Sequence, residues 1–229
     1  EAPAEGAPPR PRDRATPAPE ASANARFPDT AVGRLLDRHL QVLVDVGPGA
    51  DERKQRSLDL LRRDAKEAAA DLLDAYRAAP PGDYFGRWLI TETLWRLQSE
   101  DAHAALRDIA FSPIPADARD RDGEGNAWSN ESAIRQAATD GLIALARAGN
   151  AEAERELLRL ALDPPSGDDA VRTAAIKGYL AAGRDYDARV RTLKAQLPPR
   201  YHDLVTLTVS QPEAPVPPDR DAANPKTGG

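Results

Sequence analysis

The stretches AIRQAATDGLIA (133–144) and AVRTAAIKGYLA (170–181) superpose without a gap at an offset of 37 residues. FGRWLITETLWR (85–96) fits the same frame more loosely. In that frame Arg87, Arg135 and Arg172 coincide, and four residues before them stand Asp83, Glu131 and Asp168. An acid there complements the positive end of a helix dipole and allows an acid-to-arginine pair one turn on. Six residues after each arginine comes Thr93, Gly141 or Gly178. Glycine costs about 1 kcal/mol inside a helix, so its recurrence predicts a close helix approach.

A second type of helix alternates with these. AKEAAADLLDAYRAAPP, AHAALRDIAFSPIP, AEAERELLRLALDPP and DARVRTLKAQLPP each carry apolar residues at three- and four-residue spacing and then a helix-stopping proline. From Pro80 the intervals to Pro113, Pro164 and Pro198 are 33, 51 and 34 residues, a repeat with one loop enlarged. Residues 31–46 read as an amphipathic helix capped by Asp29 or Thr30 and closed by Gly47-Pro48-Gly49. Between Asp51 and Ala79 there is neither Gly nor Pro, and Leu58, Leu61, Ala65, Ala68, Leu72 and Tyr76 keep one stripe, which predicts a single long helix. YHDLVTLTV (201–209) is β-prone and isolated, which predicts an extended cap.

This alternation, with its DDAVRTAAIKGYL-like string, resembles the HEAT repeats, particularly the short bacterial kind, over about residues 51–198 and most strongly over 130–183. Tetratricopeptide repeats share the period but want a Trp-Leu-Gly-Tyr first helix and a mid-repeat Ala, which this register lacks. The resemblance implies an all-α, right-handed α-solenoid of helix pairs, with the Val-Arg helices lining a concave face. The expected organisation is a disordered Pro/Ala-rich head (1–28), a helical repeat domain (29–209, with an enlarged loop at 112–128) and a disordered tail (210–229). Seven of the 21 prolines fall in the head and five in 212–225, stretches too poor in large apolar side chains to offset their ordering entropy.

Composition excludes much chemistry. There is no cysteine, hence no disulfide, thiolate metal site or cysteine nucleophile. A net charge of -6 argues against general nucleic-acid binding, and no apolar run is long enough to span a membrane. His39, His103 and His202 lie in unrelated segments, and no GxGxxG, GxxxxGK or GxSxG string occurs, so nothing points to an enzyme. A start at Glu1-Ala2-Pro3 fits a chain released from a signal peptide or anchor, or simply a trimmed one; an extracytoplasmic location is slightly favoured.

What remains is surface. One residue after the aligned arginines lie Trp88, Gln136 and Thr173, and five after them Glu92, Asp140 and Lys177. These polar columns are expected to face solvent, while Leu89, Ala137 and Ala174 face the core. Together with Arg87 they form the expected partner face, a scaffold surface for a protein or peptide with Trp88 as its hot spot, unless the N-terminal helix or the 112–128 loop covers it. The competing enzyme reading, by analogy with HEAT-like DNA glycosylases, needs a basic groove. Residues 166–200 carry seven bases and four acids, but Glu92 and Asp140 oppose it. The loop DRDGEGNAWSNE (120–131) approaches the calcium pattern D-x-[DN]-x-[DN]-G-x5-E. Asp120, Asp122, Glu124, Asn126 and Glu131 would then ligate calcium, with Gly125 at the turn; Glu131 has a competing partner in Arg135.

Overall fold

Side chains written into the sequence as helix starts act as such in the computed structural model, which describes residues 26–115, 118, 127–183 and 185–210. Thr30 accepts from the Gly33 N–H at 2.9 Å, Asp83 from Gly86 at 2.9 Å, and Asn150 from Ala153 at 2.9 Å. Asp168 accepts from Ala170 at 2.9 Å and Asp185 from Ala188 at 2.9 Å. Each such cap satisfies a backbone donor that the first helical turn leaves open, for about 1 kcal/mol. The helices are α1 (Ala31–Leu43), α2 (Ala50–Leu61), α3 (Ala65–Ala78), α4 (Tyr84–Leu97), α5 (His103–Ala110), α6 (Ala127–Arg147), α7 (Ala151–Leu162), α8 (Asp169–Ala182), α9 (Tyr186–Gln196) and α10 (His202–Ser210). Pro80, Pro113, Pro164 and Pro198 stand just past the ends of α3, α5, α7 and α9, where the sequence places the stops.

The fold is all-helical, with no strand among the described residues. Helices α4, α6 and α8 are successive neighbours in one row, and α3, α5, α7 and α9 in another. Between the rows runs one apolar core, with Leu72, Ile90, Leu94, Leu142, Leu157, Leu160, Val171 and Ile176 fully shielded. The α1 helix and α2 close the core beside α3 and α4, and α10 packs on α8 and α9. The repeated small residue does what the sequence predicts. A Cβ at Gly141 would lie 2.8 Å from Leu106 Cδ1, and one at Gly178 2.2 Å from Ile143 Cγ1, so α5–α6 and α6–α8 approach through these positions.

Three expectations are corrected. The long helix over 51–79 is broken by a 3-10 turn at Arg62–Asp64. That turn lets Arg62 donate to the Arg96 and Leu97 carbonyls at 2.9 and 3.3 Å, closing the C-terminus of α4. Residues 202–210 are helix, not an extended cap: with no strand to pair with, the backbone satisfies itself internally, and Val205 is buried against the core. The first helix ends at Leu43, leaving Val44 and Val46 exposed.

His39 of α1 has no exposed surface, and its Nδ1 lies 2.6 Å from Ser57 Oγ on α2. Ser57 Oγ donates to the Lys54 carbonyl, so Nδ1–H donates to the serine, while Nε2 is buried without a hydrogen-bond partner. Burial, with the Arg96 charge adding to it, lowers its pKa from 6.5 to about 4. The unfolded chain therefore takes up a proton that the folded chain refuses. Stability is complete above pH 6.5 and falls between pH 6.5 and 4, by at most about 3 kcal/mol. Urea midpoints across that window are expected to drop more steeply for the wild type than for His39→Leu; parallel slopes would refute the assignment.

Candidate functional site

The aligned arginines have a shared task that the acid-to-arginine pattern conceals. Each reaches carbonyls in the last turn of the preceding proline-stopped helix or just past it. Arg135 donates to Ser112 and Pro113 oxygens at 2.6 and 2.7 Å, Arg172 to Ala161 and Leu162 at 2.7 Å, and Arg87 to Pro81 at 3.4 Å. Arg189 of α9 repeats the contact on Tyr179 of α8 at 2.7 Å. Among the described residues no backbone N–H of a turn or cap reaches these carbonyls, which gives each guanidinium its task.

Only one of the three expected i,i+4 pairs forms: Glu131 and Arg135, at 2.6 Å. Asp83 pairs with Arg26 at 3.0 Å, and Asp168 spends its Oδ1 on capping α8. Arg87 crosses to α6 instead and grips Glu131 with two nitrogens, at 2.5 and 3.2 Å, while donating to Tyr76 Oη at 2.7 Å. Glu131 and Arg135 are almost wholly buried. Arg87 therefore spends most of its side chain inside the protein rather than on the partner face. Glu131 has both oxygens engaged by guanidinium groups, so a cation there would have to displace them. Asp120, Asp122, Glu124 and Asn126, the other expected calcium ligands, lie outside the described residues. Among the described residues no cluster of three His, Asp or Glu side chains is placed to hold a metal.

The remaining face residues lie on α4, α6 and α8, but not on a uniformly solvated surface. Trp88 and Lys177 are exposed, and Gln136 and Thr173 are half-buried, hydrogen-bonded to Ser132 Oγ at 3.1 Å and the Asp169 carbonyl at 2.7 Å. Glu92 is buried, corrected from an exposed position because it folds along its own helix to accept from Arg96 Nε at 2.7 Å. Asp140 is exposed, yet partial desolvation and the neighbouring Glu92 charge push its carboxyl above the usual range, against the opposing pull of Arg147. Leu89 and Ala137 face the core as expected, and Ala174 is half-buried.

Sequence reasoning missed Phe85. It is 61% exposed and stacks on Trp88, the ring centres 6.3 Å apart and the planes 20° from parallel. The signal was present in FGRW, two aromatics three residues apart on the first turns of α4. Both line a groove of about 450 Å³ between α4 and α6, with Gly82, Asp83, Tyr84, Asn130 and Ala133. A second groove of about 470 Å³ flanks α6 on its other side, lined by Trp128, Ser132, Gln136 and Asp168 among others. Among the described residues the fold is all-helical, with aromatic grooves on either side of α6. No helix among the described residues is long and apolar enough to cross a membrane. Comparison with protein-family models, curated proteins and solved structures gives no match.

Proposed function

We propose that this chain is a non-catalytic scaffold module of the HEAT-like kind, a right-handed solenoid that binds a protein or peptide on its α4–α6–α8 face. The observation carrying this reading is the exposed Phe85–Trp88 stack over an open groove. Large aromatic side chains left in a concavity are the usual anchors of a protein interface. The row of α4, α6 and α8 supports the solenoid, since each repeat then contacts chiefly its neighbours.

Trp88→Ala and Phe85→Ala are each expected to lose at least ~10-fold in recovery of a protein partner in a pull-down, with unchanged melting temperature. Equal recovery by wild type and both variants would remove this groove from the site. The alternative, a nucleic-acid-acting enzyme of glycosylase type, needs cationic surface where the exposed Asp140 stands over the buried Glu92. Titration with duplex DNA at low salt separates the two, since tight, salt-sensitive binding would favour the enzyme.

A further inference from the structure

We propose that the Phe85–Trp88 groove is occupied by this chain's own proline–arginine segment, residues 8–14 (PPRPRDR), so that the head competes with any external partner. The inference rests on the binding face proposed above and names its resident ligand.

Three observations converge. The first is where the chain enters the fold. Arg26 pairs with Asp83 at 3.0 Å, and Phe27 is buried in the core. Asp83 itself lines the groove, so the described chain begins at its rim. Gly86 keeps this entry open, because a Cβ there would meet Arg26 Nη1 at 2.3 Å. The second is chemical fit. Proline rings pack on flat aromatic shelves, and proline-rich segments lose little freedom when held extended. Phe85 and Trp88 supply such a shelf, and residues 8–14 hold Pro8, Pro9 and Pro11. The third is charge. Asp83 lines the groove itself, and one turn beyond Trp88 on α4 stands Glu92, paired with Arg96 and close enough to the exposed Asp140 of α6 for their charges to interact. Arg10, Arg12 and Arg14 bring three cations against the one acid Asp13. At about 3.1 Å per residue, the stretch from 14 to 26 reaches about 37 Å, more than the length of α6. Tethering makes the encounter intramolecular, at an effective concentration of order millimolar.

The absence of cysteine provides a clean test in the full chain. Ala15→Cys carries the only thiol and takes a nitroxide spin label, and the indole N–H signals of Trp88, Trp95 and Trp128 are followed by NMR. Loss of the Trp88 signal with the oxidised label is expected, with the signal restored when Arg10, Arg12 and Arg14 are also changed to Glu. A label at Ala222→Cys in the tail is expected to leave Trp88 unaffected. An unchanged Trp88 signal with the label at position 15 would overturn the proposal. So would broadening seen only between differently labelled copies, which would make the occupant a second molecule. Loss of partner in the Trp88→Ala pull-down without a label effect would leave the binding face standing and remove the head from it. A label effect without any Trp88-dependent partner would do the reverse.

Discussion

Glu131→Ala is expected to lower the unfolding free energy by about 3–5 kcal/mol, the cost of leaving buried charges without their counterion. Glu131 is the sole carboxylate between Arg87 and Arg135 in the hydrogen bonds they make, and Arg135 has 1% of its side chain exposed. Without the carboxylate, both guanidinium groups keep their positive charge in an apolar setting and repel one another. Arg135 would retain the Ser112, Pro113 and Glu131 carbonyls, which satisfy donors but do not neutralise. In melting temperature the loss corresponds to roughly 10 °C for a domain of this size. Arg87→Met is expected to cost less, because its side chain is 11% exposed and its removal leaves the Glu131–Arg135 pair intact. Urea denaturation of the three proteins is the check. A Glu131→Ala loss below about 1 kcal/mol would mean that water reaches the triad and screens it.

The second large effect concerns the crossing of α6 and α8. Gly178→Ala would gain about 1 kcal/mol of helix propensity on an isolated helix. Here the new methyl would lie 2.2 Å from Ile143 Cγ1 and 2.6 Å from Cδ1, so the helices must separate or the isoleucine must leave its rotamer. A net loss of about 1–3 kcal/mol is expected, with partial recovery in the double variant Gly178→Ala/Ile143→Ala. Gly141→Ala should cost less, since its obstacles at 2.8 Å are the terminal methyls of Leu106, which can rotate. Additive single and double substitutions would show that α6 and α8 do not meet at this point.

The glycines also show how much of the fold could be read in advance. A recurring small residue six places after a recurring arginine can be found in letters alone, and so can a helix stopped by proline. Both are local patterns with one physical cause. The break at Arg62–Asp64 is different, because nothing between Asp51 and Ala79 disfavours helix. Its reason lies 34 residues away, at the open carbonyl of Arg96. Residues 202–210 misled for a related reason: β-branched side chains suit a sheet only where a sheet exists. Of the expected partner face, Trp88 kept its exposed place. Glu92 did not, because a four-residue spacing to Arg96 drew it along its own helix. Arg87 was read as surface because its acid was sought on its own helix, one turn back, when it stood on α6.

The reach of each arginine back to the preceding helix bears on how such a chain can lengthen. An α-helix ends with carbonyls that some other group must satisfy. Here the group arrives with the following helix: Arg135 of α6 serves the turn just past α5, Arg172 of α8 the end of α7 and Arg189 of α9 the end of α8. A duplicated helix pair would bring its own clasp for the neighbour before it and leave its own end to the clasp after it. Insertion by duplication in the middle of the row therefore opens no new seam, whereas loss of a single arginine-bearing helix leaves one. A unit that seals the one before it can be added whole.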